Sequence, residues 1–442
     1  MVSLYIARRI AISTKASFSK LIIRIAITAI ALSVAVMILA TALVAGFKNT
    51  ISNKVFDFWG HIHITHFDTK NDIESVPITR KQPFYSPATA VQPSVAPQQQ
   101  LTQSPNITFS RNYTLLGISL FNKDVSTQGG IRHIQAYANK AGIIKTKDQL
   151  EGIILKGIDT DYDWGTMRQY LVQGNELLLP DTISRSILIS ETTARRIKAN
   201  LGDKLVIYFI EPGSAPAARW FSITGIYKTG LEEYDKKIAL VDIRQIQNLN
   251  HWGRDSISGF EVFLDHIADL DPYTEYVYEQ IGSDLNAQSI KSIFPAIFSW
   301  LSLQNANERV ILSIMIFVSI INMITALLIL ILERTNMIGT LKALGARNWD
   351  IRKIFLLNAA YITLWGLLIG NIIGISLGLL QKHFHLITLP EDLYYVSVAP
   401  IEFQPLTLLL LNIGTLLITI LALIIPSLLI TRITPVKAIR FK

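Results

Sequence analysis

The sequence predicts a membrane protein with four transmembrane α-helices and a large α/β domain inserted between the first and second of them. Three observations carry that prediction: four long uncharged apolar runs, about 260 residues of mixed strand and helix pattern between the first two runs, and Lys and Arg gathered at particular ends of the runs. Half of the 442 residues are hydrophobic and the mean hydropathy is +0.36, a profile unusual for a soluble chain of this length.

The opening segment, residues 1–24, carries Arg8, Arg9, Lys15, Lys20 and Arg24 without an acid, and nothing charged follows from Ile25 to Phe47. Those 23 residues are enough to cross a hydrocarbon core of about 30 Å, for which roughly 20 are needed. A signal peptide has an apolar region of only about 7 to 15 residues, so this run reads as a retained span. Three more uncharged runs follow, Val310–Leu332, Ile354–Gln381 and Phe403–Thr431, with 23, 28 and 29 residues. Spans are therefore assigned to 25–47, 308–332, 354–381 and 403–431.

Positive charge fixes their direction. The loop 333–353 has five Lys or Arg, and the tail 432–442 has Arg432, Lys437, Arg440 and Lys442. The loop 382–402 sets Lys382 alone against Glu391, Asp392 and Glu402. Lys and Arg stay on the cytoplasmic side, so both termini and 333–353 face inward, while 48–307 and 382–402 face outward. The net charge of +8 thus belongs to topology and implies no nucleic-acid partner, because the basic residues form no face of their own.

The outer domain, 48–307, opens on WGHIHITHF, whose alternating apolar positions predict a strand with solvent-facing histidines. His61 and His63 share a strand face and His66 lies nearby, but no carboxylate signature accompanies them and no metal site is assigned. There is no cysteine, hence no disulfide or thiolate ligand, and the domain must stand on its hydrophobic core. Residues 75–106 are rich in Pro, Gln, Ser and Thr and predict a long loop. Strand and helix patterns resume with GGIRHIQAYANKAGIIKT, EGIILKGID and ILISETTARRIKANLGDKLVIYFI. KLVIYFI and WFSITGIY read as two strands joined by EPGSAPAAR, Glu211–Arg219, a hairpin with prolines in its tip. GFEVFLD predicts a strand, PYTEYVYEQIG a helix with Pro272 in its first turn, and LNAQSIKSI another strand; together these make a domain of two lobes.

From Pro295 to Leu332 no glycine or further proline interrupts a helix, and its 38 residues at about 1.5 Å each reach roughly 57 Å. The second span therefore extends outward as a helical stalk, and the first is expected to continue likewise through Phe47 and Val55. In the third span Gly366, Gly370, Gly374 and Gly378 recur at steps of four, which places them on one face where another backbone can come close. Asn322, Asn371 and Asn412 lie inside spans and call for interhelical partners.

Between the second and third spans lies ERTNMIGTLKALGARNWDIRKIF, Glu333–Phe355. Ile338, Leu341 and Leu344 recur at steps of three, with Lys342, Arg347, Arg352 and Lys353 elsewhere on the surface, which predicts an amphipathic helix across a membrane face. Gly345 follows where a helix C-terminus favours glycine.

This E-R-x-x-x-I-G-x-L-K-A-L-G-A pattern resembles the loop after the second span of FtsX-like and MacB-like ABC permeases. In that family the loop is a coupling helix that docks on the ATPase subunit, which implies that role for Glu333, Arg334, Ile338, Gly339, Leu341, Lys342, Leu344 and Gly345, with Ala346 completing the pattern. TPVKAIR, Thr434–Arg440, is similar to the family's closing P-x-x-A-[LI]-R. Within the family, YIARRI, GFKNTISNKVFDFWGHIHI and EGIILKGID look most like the lipoprotein-releasing permeases, the LolC and LolE family; the Pro/Gln-rich stretch departs from that pattern. The resemblance implies a MacB-like periplasmic domain in the bacterial inner membrane, a lipoprotein substrate and a periplasmic lipoprotein carrier. In the lipoprotein-releasing family one permease carries a protruding hairpin at this position that recruits the carrier, which implies that role for Glu211, Pro212, Pro216 and Arg219; Trp220 would anchor the base, and a plain surface turn is the alternative reading of these residues. Activation of a cell-wall hydrolase, as in FtsX, and efflux of small molecules or peptides, as in MacB, are the alternative functions.

No G-x-x-x-x-G-K-[ST] phosphate loop and no H-E-x-x-H zinc motif occurs, and the spans hold no chain of acidic or basic relay residues. The chain is therefore expected to be no enzyme and to bind no cofactor. Energy has to come from another chain, and the resemblance to coupling-helix permeases implies that this is a separate ABC ATPase dimer carrying ATP and Mg, with a second permease copy or paralogue to match its pair.

Overall fold

The computed structural model describes residues 18–69, 75–85, 106–115, 118–146, 150–210 and 215–432. Arg8, Arg9, Lys15 and the Thr434–Arg440 motif lie outside the described residues, as does most of the Pro/Gln-rich stretch. The chain divides into two compact units: Met1–Asn49, Trp300–Thr388 and Val398–Lys442 in the first, Thr50–Ser299 and Leu389–Ser397 in the second.

The helices α1 (Phe18–Trp59), α2 (Pro295–Glu333), α3 (Thr335–Ala343), α4 (Asn348–Phe384) and α5 (Pro405–Ser427) take in the apolar runs, the fourth but for its two ends, and every one but α3 is long and apolar enough to cross a membrane. At about 1.5 Å per residue, the 42 residues of α1 and the 39 of α2 each reach roughly 60 Å, twice a hydrocarbon core of about 30 Å. Both helices have residues in both units. The helix α4 starts six residues before its uncharged run, because Asp350, Arg352 and Lys353 bound the apolar stretch without ending the helix. In α5 Pro405 occupies the first turn, where its missing N–H is not needed, and Pro426 closes the helix before a separate turn, Leu429–Arg432.

In the first unit Ile30, Val34 and Ile38 of α1 belong to one core with Met323, Leu327 and Leu330 of α2, Ile338 of α3, Phe355 and Ile362 of α4 and Leu423 of α5. A lipid bilayer supplies no hydrophobic drive between such helices, so close packing and polar pairs must hold them. The glycine face of α4 does the first. A Cβ at Gly366 would lie 2.7 Å from Cβ of Ile30, one at Gly370 2.7 Å from the Ala31 carbonyl, and one at Gly374 3.1 Å from Cα of Ala35. Asn371 and Asn412 do the second: each amide donates to the other's oxygen, at 2.6 and 3.0 Å, across α4 and α5. Gly378 sits apart from the other three, since a Cβ there would meet the ring of Phe403. A step of four residues advances about 40° around a helix, so the three steps from Gly366 to Gly378 carry the last glycine about 120° away from the first. The run Gly374–Gly378 also has the spacing G-x-S-x-G, but it lies within a continuous helix and not at a strand-to-helix turn, so Ser376 is no nucleophile elbow.

The second unit is built on strands β1 (Ile62–His66), β2 (Ile78–Thr79), β3 (Thr108–Leu115), β4 (Ile118–Ser126), β5 (Ile131–Lys145), β6 (Leu150–Ile158) and β7 (Leu171–Gly174). After these come β8 (Ser186–Ser190), β9 (Lys204–Phe209), β10 (Ala217–Tyr227), β11 (Ile238–Asp242), β12 (Ser256–Ile257), β13 (Gly259–Leu264) and β14 (Leu285–Ser289). Ten of them form one mixed sheet in the order β14-β1-β13-β5-β6-β11-β8-β10-β7, with β9 paired to β10 and β5. The 15-residue β5 pairs through Ile131–Tyr137 with β13 and through Ala138–Lys145 with β6, so the two halves of the sheet share one strand. Within LNAQSIKSI only β14 is strand; Ile290–Ile293 forms a helical turn.

The histidines correct the reading of WGHIHITHF. The strand β1 lies inside the sheet between β13 and β14, and His61 and His63 are buried, not solvent-facing. His61 stacks on Phe56 with ring centroids 4.4 Å apart, and its Nδ1 accepts from the Leu264 N–H at 3.3 Å. Burial, with Arg132 adding to it, pushes its pKa down to about 3, so the ring is neutral. Among the described residues no three His, Cys, Asp or Glu are grouped to hold a metal ion.

Candidate functional site: the loop between the second and third spans

The helix α3 spans nine residues and ends in a turn that its own sequence dictates. Gly345 adopts φ +88°, its N–H donates to the Lys342 carbonyl at 3.0 Å, and the Ala346 N–H donates to the Leu341 carbonyl at 2.9 Å. These paired bonds satisfy carbonyls that the helix end would leave open. A Cβ at Gly345 would meet nothing within 4 Å, so the backbone angle and not space calls for glycine. Arg347 then turns the chain into α4.

The predicted apolar stripe does not stay on one face. Ile338 is fully buried in the helix core, Leu341 packs against that core from its edge, and Leu344 is 79 % exposed. A step of three residues turns about 300°, so three such positions fan across roughly 120° of the helix surface. Leu344, with exposed Trp349 at the start of α4, is the apolar tip of the loop. Gly339 is buried beside Ile338. Lys342 is committed within the unit: its Nζ donates to the Ile430 carbonyl at 2.7 Å and to that of Thr431 at 3.4 Å, where cations complement a helix C-terminus. Glu333 closes α2, and Arg334 is the single residue between α2 and α3.

The second predicted site is the β9–β10 hairpin. Its strands pair Phe209 with Ala217, Ile207 with Arg219 and Val206 with Trp220. Glu211 and Pro212 lie outside the described residues; Pro216 and Arg219 are exposed. Trp220, half-exposed, carries the Arg185 guanidinium 4.3 Å from its ring centroid and Lys204 Nζ at 5.2 Å, so cations flank the base of the hairpin.

Residues 25–277 match the family of MacB-like periplasmic core domains, and residues 309–435 match the C-terminal part of FtsX-like permeases. The chain belongs to the FtsX-like and MacB-like permeases. It is 22 % identical over 274 residues to the lipoprotein-releasing system transmembrane protein LolC of Xylella fastidiosa, a match that takes in 58 % of this chain and 65 % of the relative. The chain thus spans a little under two thirds of that relative's length. LolC of Buchnera aphidicola is 22 % identical over 96 % of this chain and 95 % of its own, and LolE of Haemophilus influenzae is 21 % identical over 57 % and 64 %. Among solved structures, the extracellular domain of the noncanonic ABC-type transporter YknZ from Gram-positive bacteria matches 36 % of this chain and 81 % of that chain at 15 % identity, with a TM-score of 0.26. In this permease the loop 333–353 and all of α4 fall within the FtsX-like match, and the hairpin falls within the MacB-like one.

Two features escaped the sequence. Lys156 of β6 and Glu261 of β13 form a buried ion pair 105 positions apart, which no local pattern signals. Glu391, seen only as a charge that sets topology, is bound by Lys228 at 2.9 Å.

Proposed function

We propose that this permease is the membrane subunit of an ABC transporter of the mechanotransmission type, which extracts lipoproteins from the outer leaflet of the inner membrane and passes them to a periplasmic carrier. The observation that carries this reading is the match along 96 % of the chain to a lipoprotein-releasing system protein. The geometry agrees with it, since α1 and α2 are twice as long as a bilayer core and run on into the sheet domain. Rigid helices of that length carry displacement from one end to the other. Two copies, or this chain and a paralogue, would pair over an ATPase dimer that supplies the ATP and Mg chemistry.

On this reading the ATPase meets Leu344 and its neighbours, while Ile338, Leu341 and Lys342 hold the loop to the helix core. Leu344→Asp puts a charge on an exposed tip without disturbing that core. In proteoliposomes it should reduce ATP-driven lipoprotein release at least tenfold, about 1.4 kcal/mol or more of lost coupling, while the permease still inserts. Release at the wild-type rate, with the ATPase still copurifying, refutes the coupling role.

The carrier would dock on the β9–β10 hairpin. Deleting Gly213–Ala217 and closing the gap should abolish carrier capture and leave basal ATP hydrolysis intact. Carrier capture that survives the deletion removes the hairpin from the mechanism.

A further inference from the structure

Residues 389–397 join the third span to the fourth, yet they belong to the compact unit built on the sheet. The segment is short and carries two acids, Glu391 and Asp392, that water would solvate readily. Instead two lysines from separate elements converge on it. Lys54, on α1, donates from Nζ to the Tyr395 carbonyl at 2.9 Å, and Lys228, following β10, reaches Glu391 at 2.9 Å. Tyr395 ends the turn Glu391–Tyr394 in the left-handed region at φ +59°, and its carbonyl lies at the negative end of that turn.

Both contacts close over a bare stretch of backbone. A Cβ at Gly230 would stand 2.4 Å from Oε1 of Glu391 and 2.4 Å from Nζ of Lys54, and Gly230 itself holds φ +78°. Its N–H donates to the buried Asp235 at 3.1 Å, and Asp235 also accepts from the Thr229 N–H at 3.1 Å and the Thr229 hydroxyl at 2.6 Å. The turn that receives the segment is therefore built from inside the domain, whether or not the segment is seated. The backbone angle calls for glycine here, and the bare Cα lets the ends of Glu391 and Lys54 lie close over the turn.

We propose that residues 389–397 are a clasp by which the connection between the third and fourth spans is fastened to the sheet domain, with Lys54, Lys228 and Gly230 as its positioning residues. The domain then has three attachments to the spans: α1, α2 and this segment. Because Lys54 stands on α1, a displacement of that helix is felt at the clasp directly.

The chain contains no cysteine, so Lys228→Cys with Glu391→Cys introduces the sole pair of thiols. In full-length protein in nanodiscs, a short bis-maleimide should bridge the two, giving one cross-linked peptide pair by mass spectrometry and no pair of single adducts. Charge reversal supplies the second arm. Lys228→Glu or Glu391→Lys alone should raise hydrogen exchange in 389–397 by roughly threefold to tenfold, and the two together should restore protection. Gly230→Ala, strained by a φ of +78°, should raise the exchange as well. Failure to cross-link overturns the proposal, and so does unchanged exchange in the single reversals or a double reversal that restores nothing.

Discussion

Lys156→Met is expected to destabilise the sheet domain by about 3–5 kcal/mol, the cost of leaving a buried charge without its partner. Lys156 is 1 % exposed and Glu261 is fully buried, with Nζ 2.7 Å from Oε1. Nζ also donates to the Phe58 carbonyl at 2.8 Å, in the last turn of α1, and lies 5.1 Å from the ring centroids of both Phe58 and Trp59. Gln135 donates to the other Glu261 oxygen at 2.8 Å. One ammonium thus pins the end of α1, strand β6 and strand β13 together. Methionine keeps the stem and removes the charge, which leaves Glu261 with Gln135 as its main hydrogen-bond donor. For a domain of this size the melting temperature should fall by roughly 10 °C, read by the fluorescence of Trp59 and its neighbours. Lys156→Met with Glu261→Leu should recover most of the loss, because a well-packed apolar pair replaces a buried ion pair at little cost. A single variant that melts within about 2 °C of the parent shows that the pair is not what holds α1 to the sheet.

That pair also marks where the sequence stops being legible. The four spans could be read because hydrophobic length is a local property, and the β8-helix-β9 segment because it resembles the family's strand, short helix, Gly-Asp turn and strand. Lys156 sits at a polar place in EGIILKGID and looks like one more solvated side chain until β6 meets the other half of the sheet through β5. His61 and His63 mislead for a related reason. Alternation along β1 marks two faces, but an interior strand with both faces covered buries both, as the uniform burial from Ile62 to Thr65 records. The steps of three in Ile338, Leu341 and Leu344 drift around the helix, so the first member faces the core and the last faces out. The strands β3 and β4, just after the Pro/Gln-rich residues, pair with each other apart from the large sheet, so the pattern of the main sheet does not signal them. Of the candidate sites, the loop could be placed from its motif, but which of its side chains are spent on internal packing required Ile430 and the helix core to be seen beside it.

The glycine face of α4 supports the other large effect. Gly370→Leu and Gly374→Leu should separate α4 from α1 and cost about 1–3 kcal/mol each through overpacking. At Gly370 the obstacles are the Ala31 carbonyl and Cβ of Val34, both 2.7 Å from a Cβ, and at Gly374 they are Cα of Ala35 and Cβ of Ile38, both at 3.1 Å. Backbone and branched stems cannot swing aside as the end of a long side chain can. Asn371 lies between these glycines in sequence, and its reciprocal bonds with Asn412 hold a second neighbour, α5, at about 0.6–2 kcal/mol. Moving α4 off α1 therefore strains that pair as well, and the double variant should lose its monodisperse peak in detergent and melt well below the parent. Gly414→Leu is the matched control, since a Cβ there would meet nothing within 4 Å, and it should leave both measurements unchanged. Equal behaviour of the Gly370/Gly374 variant and the Gly414 variant would mean that α4 reaches α1 through side chains that give way, and that the glycines are only tolerated.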